Sequence, residues 1–97
     1  MKFVWLWEWD PKEAEKEGEL SEKFEKALKE HPEAFPKLGE SCHTGRGKGF
    51  RIIEAENEEQ LMNLVAFWWP TENWKLIPYF HGSDLLGKAW QRWHGQT

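Results

Sequence analysis

The stretch KFVWLWEW, residues 2–9, decides how the rest of the chain must be arranged. Strand alternation puts Phe3, Trp5, Trp7 and Trp9 on one side and Val4 and Leu6 on the other. A strand apolar on both faces needs a cover on each. Helices of the same chain supply one cover. The economical source of the second is the same face of another copy, giving an isologous two-fold pair. Alternation alone does not say which side meets which cover.

Outward from that strand, Asp10-Pro11-Lys12-Glu13 predicts a helix start, with Asp10 as cap, Pro11 at the first position and Glu13 closing a capping box. The charged run that follows is a solvated or frayed entry. Leu20, Phe24, Ala27, Leu28 and His31 then recur at helical spacing. Pro32 ends that helix, and His31 reads as its C-terminal cap. HPEAFPKLG is a connection anchored by Phe35 and Leu38.

ESCHTGRGKGFRIIEAE, residues 40–56, reads as a hairpin about Gly45, Gly47 and Gly49, its tip a flexible turn or a mobile lid. Its second strand places Phe50, Ile52 and Glu54 on one face and Arg51, Ile53 and Ala55 on the other. The capping box Asn57–Gln60 opens a second helix carrying Leu61, Leu64, Val65 and Trp68, which Pro70 stops. WKLIPYFH, residues 74–81, is the last strand: Trp74, Leu76 and Phe80 oppose Ile77 and Tyr79. Pro78 cannot donate to a ladder, so this strand belongs at an edge or a bulge. Ser83-Asp84 caps a short helix with Leu86, Trp90 and Trp93, a stripe expected to fold onto its own domain or a dimer mate.

The order is strand, helix, strand, strand, helix, strand, then a terminal helix. It predicts an α+β fold: a ferredoxin-like βαββαβ antiparallel sheet with two helices on one face, plus a short C-terminal helix. Residues 1–97 form one domain, with residues 82–97 as a tryptophan-bearing extension.

The composition narrows the function classes. A net charge of −4 without a basic stripe excludes nucleic acid as the main partner. No apolar run approaches the roughly 20 residues that span a bilayer, and the single cysteine, Cys42, forms no internal disulfide. A soluble cytoplasmic protein is expected. Abundant glutamate and lysine with few amide side chains match the bias of proteins from hot environments. Eight tryptophans exceed what so small a core absorbs, which points to a subunit interface or a ligand cleft.

GFRIIEAENEEQLMNLVAFW, followed by a tryptophan-bearing loop and WKLIPYF, resembles an uncharacterised family, domain of unknown function 3303, of the dimeric α/β-barrel superfamily. The matching features are Glu54 ending a strand, the acidic cap at residues 57–59, Trp68 closing a helix and Pro78 within a strand. The resemblance implies the ferredoxin-like fold and a homodimer through the sheet face. It implies no reaction, because the superfamily spans heme-handling monooxygenases, small isomerases and binding domains.

The first functional expectation is a homodimeric small-molecule-binding module, with Trp5, Trp7, Tyr79 and Arg51 lining an aromatic cleft for an apolar or planar ligand. The alternative is a cofactor-free isomerase or monooxygenase with Glu54 or His81 as proton handler, either of which must then be buried in that cleft. A second alternative is a structural or regulatory protein whose terminal helix engages a partner. No cofactor and no metal are expected: Cys42 and His43 are adjacent on a strand and point to opposite faces, and no metal-ligand spacing joins them to His81.

Overall fold

The computed structural model describes residues 1–71, 73–80 and 82–95; His81 lies outside the described residues. Five strands, β1 (Lys2–Glu8), β2 (Lys37–Leu38), β3 (Cys42–Gly45), β4 (Lys48–Glu54) and β5 (Trp74–Pro78), alternate with the helices α1 (Ala14–Glu30), α2 (Glu58–Phe67) and α3 (Ser83–His94). All the strand pairings are antiparallel, in the order β2-β4-β1-β5, with β3 also pairing β4. The segment read as a plain connection thus supplies β2. Lys37 and Leu38 pair with Glu54 and Ile53, while Cys42 and His43 pair with Phe50 and Gly49 farther along the same strand.

The register settles which face is which. Phe3, Trp5 and Trp7 stand opposite Ile53, Arg51 and Gly49 on β4, and opposite Pro78, Leu76 and Trp74 on β5. That face meets both helices. Trp5, Ile53, Phe24 of α1, and Leu61, Leu64 and Trp68 at α2 are buried together with Phe35 and Ala55. Aromatic edges bind this core: Phe24 lies 5.4 Å from Phe35, 5.3 Å from Trp68 and 6.2 Å from Trp5, each at a steep angle.

The opposite face carries Val4 and Leu6 of β1, Phe50 and Ile52 of β4, and Ile77 of β5. Leu6, Ile52 and Ile77 are 37%, 39% and 43% exposed. Among the described residues no helix buries them. Charged pairs rim the patch, with Lys2 opposite Glu54 and Glu8 opposite Lys48. β5 is an edge strand, so Pro78 deprives no ladder of a donor. It ends there, before the expected residue 81, and Phe80 is exposed.

The caps act largely as the chemistry of their residues requires. Asp10 accepts from the Lys12 N–H at 2.9 Å and opens a 3-10 turn, Pro11–Glu13, that leads into α1. Asn57 accepts from the Gln60 N–H at 2.9 Å. Gln60 returns the bond one residue earlier than in a standard box, accepting from the Glu56 N–H at 2.8 Å, while its own amide donates to the Glu33 carbonyl at 3.1 Å. That buried glutamine stitches α2 to the turn that follows α1.

The terminal helix does not fold back. No residue of α3 is buried, and Leu85, Leu86, Trp90 and Trp93 are 59–72% exposed. The Cα radius of gyration, 17.0 Å, exceeds the roughly 12.5 Å of a compact chain this long because α3 projects from the domain.

Candidate ligand-binding cleft

The first half of α1 explains why a cleft exists. Ala14, Glu17, Gly18, Ser21, Phe24 and Glu25 recur at helical spacing on the side that lines it. Ala14, Gly18 and Ser21 are small, so the helix leaves open space over the end of β1, whereas farther along Phe24 and Leu28 pack against the core. A Cβ on Gly18 would meet nothing within 4 Å. The result is a cleft of about 280 Å³ between α1 and the helix-facing side of the sheet.

Five indoles line it: Trp5, Trp7 and Trp9 at alternate positions from β1 onward, Trp74 beside Trp7 on β5, and Trp68 after α2. Trp5 and Trp68 are buried at its base, 5.5 Å apart and inclined at 64°. Trp7 is held by an edge-on contact with His43 at 5.2 Å and lies across Gly49, where a Cβ would collide with its ring. The Trp9 N–H donates to the Gly47 carbonyl at 2.7 Å, and Gly47 has φ +68°, the left-handed region that favours glycine. The glycine-rich turn is therefore tied to the first strand and makes room for its tryptophans.

Hydrogen bonding separates the indoles. Trp74 Nε1 donates to the Trp68 carbonyl at 3.1 Å, where Thr71 Oγ1 also donates at 2.8 Å. Trp5 Nε1 and Trp68 Nε1 are sealed from solvent with no acceptor among the described residues. Each such donor costs about 1–3 kcal/mol of desolvation.

The charged lining is mainly acidic, with Glu8, Glu17 and Glu25 against Arg51. Burial pushes the Glu17 carboxyl above the ordinary glutamate value of 4.5, and the nearby Glu13 charge adds to the rise. Arg51 Nε donates to the Gly39 carbonyl at 3.0 Å, which ties its stem to the sheet edge.

Of the residues expected to bind ligand, Trp5, Trp7 and Arg51 are brought together here. Tyr79 is not: it continues the alternation of Ile77 beyond β5 and does not line the cleft, since Trp5 and Trp7 occupy the other side of the sheet. Glu54 is exposed at the end of β4, on the face turned away from the cleft, so the burial required of a proton handler is missing. His81 lies outside the described residues. Cys42 and His43 fall on opposite faces, only His43 reaching the cleft. Among the described residues no group of three or more His, Cys, Asp or Glu is placed to hold a metal. The stripe at 14, 17/18, 21 and 24/25 has a legible helical period, but its small and polar residues raise no hydrophobic signal.

The family described as Domain of unknown function (DUF3303) matches residues 1–94. No curated protein and no solved structure matches the chain. No helix among the described residues is long and apolar enough to cross a membrane.

Proposed function

The chain belongs to the DUF3303 family, a description that carries no activity, and we therefore propose a function from its own geometry: a small-molecule-binding module whose ligand occupies the tryptophan-lined cleft. One observation carries the reading. Five indoles, those of Trp5, Trp7, Trp9, Trp68 and Trp74, wall one cleft of about 280 Å³. A planar or apolar ligand that seats between α1 and β1 buries its faces against those rings. The test is titration of intrinsic tryptophan fluorescence with planar carbonyl compounds such as quinones and flavones, repeated on Gly18→Leu, which fills the cleft from a position with open space. Saturable quenching in the wild type and its loss in Gly18→Leu support the reading; indifference of the wild type to the whole series defeats it.

The same reading takes the sheet as ferredoxin-like, with β2 and β3 together serving as one edge strand beside β4, β1 and β5. It pairs two copies through the open face of Val4, Leu6, Phe50, Ile52 and Ile77, because an uncovered apolar layer at the centre of a sheet favours burial. α3, which its own domain leaves bare, then lies free to reach the mate. The lone reduced Cys42 suits a cytoplasmic setting. An isomerase or monooxygenase is the weaker reading, since Glu54 faces solvent; the partly buried acid that the cleft does contain is Glu17.

A further inference from the structure

The lining of the cleft combines two properties that bear on the charge of its occupant. It is aromatic: the faces of indole rings carry negative electrostatic potential, and the pairs Trp5–Trp68 and Trp5–Phe24 meet at 64° and 79°. Rings so inclined wall a corner in place of a flat stack. It is also acidic. Glu17 and Glu25 of α1 share the lining with Arg51, while the Glu8 carboxylate at its margin is paired with Lys48 Nζ at 3.7 Å, so two glutamates against one guanidinium leave a formal −1.

An anion entering this space meets repulsion from the carboxylates and from the ring faces alike. A primary ammonium is strongly hydrated and needs three acceptors, whereas a methylated ammonium donates no hydrogen bond and surrenders a loosely held hydration shell. Such a cation is attracted to aromatic faces and to carboxylates beyond them.

We propose that the ligand of this cleft is a small organic cation, a methylated ammonium. The inference rests on the small-molecule reading above and adds its chemical class. The charged end lies among the half-buried Trp7, Trp9 and Trp74, which share the lining with Glu17 and Glu25. Arg51, on the interior strand β4, has its Nε committed to the Gly39 carbonyl.

The test uses the full chain at constant ionic strength. Choline and benzyltrimethylammonium are titrated against 3,3-dimethylbutan-1-ol, the uncharged isostere of choline, and against benzoate, with tryptophan fluorescence and calorimetry as readouts. Choline is expected to bind about tenfold more tightly than its neutral isostere, with Glu17→Gln weakening choline several-fold and Gly18→Leu abolishing binding. Far-ultraviolet circular dichroism checks that both variants are folded. If the neutral isostere binds as tightly as choline, or benzoate binds better than either cation, the cationic class is overturned while ligand binding in the cleft stands. If none of these compounds and none of the planar carbonyls binds, both readings fall together.

Discussion

The indole of Trp7 occupies the space in which a side chain on Gly49 would begin. The two residues face each other across the β1–β4 ladder, on the side that meets the helices. A glycine that reads as part of a flexible tip is thus a packing partner of the first strand. Gly49→Ala is expected to cost about 1–3 kcal/mol, the range for forcing an extra carbon into a packed site. Urea denaturation measures it, and an unchanged midpoint would show that Trp7 yields freely.

Gly18 predicts the reverse. It lies inside α1, is exposed, and a methyl group added there would meet nothing within 4 Å. Gly18→Ala should therefore stabilise by about 0.5–1 kcal/mol through helix propensity. The melting temperature should rise by a few degrees, and a fall would mean that the helix is distorted at this turn.

Gln60 serves three partners from a buried position: its side chain accepts from Glu56 and donates to Glu33, and its N–H donates to Asn57. Gln60→Leu keeps much of the volume and strands the Glu56 N–H and the Glu33 carbonyl. A loss of about 1–3 kcal/mol is expected, larger than the roughly 1 kcal/mol for Asn57→Ala, which removes only the cap. The comparison of the two variants by denaturation decides whether the glutamine acts as a bridge or as a cap.

Glu17 makes stability depend on pH in a defined direction. Its folded-state pKa is raised by burial first and by Glu13 second, so between the ordinary value and the folded one the folded chain holds a proton that the unfolded chain has released. Stability from this group is greatest below the ordinary value of 4.5 and falls as pH rises through the folded pKa. Glu17→Gln should melt above the wild type at pH 7, with the gap closing near pH 4. A gap independent of pH would remove the electrostatic cause.

Adjacent isoleucines test the two faces. Ile53 is fully buried and Ile52 is 39% exposed on the open side. Ile53→Ala should cost about 2–5 kcal/mol. Ile52→Lys should leave the protomer folded and convert the proposed dimer to monomer in light scattering. A wild type that is monomeric at high concentration would withdraw the sheet-to-sheet pairing.

What the linear chain determined by itself was local: the alternation of β1, the caps at Asp10 and Asn57, the stop at Pro32 and the edge placement of Pro78 all follow from short-range sterics and hydrogen bonding. Its periodicities also placed Phe24, Leu61, Leu64 and Trp68 in one core. Which side of β1 met the helices was a tertiary decision, because both sides are apolar and only the register with β4 and β5 separates them. That choice gathered Trp5, Trp7 and Arg51 with Trp68 and Trp74, sent Tyr79 and Glu54 away from them, and set the small residues of α1 over the tryptophans. A cleft is the space left between two surfaces, so it is written in neither segment alone.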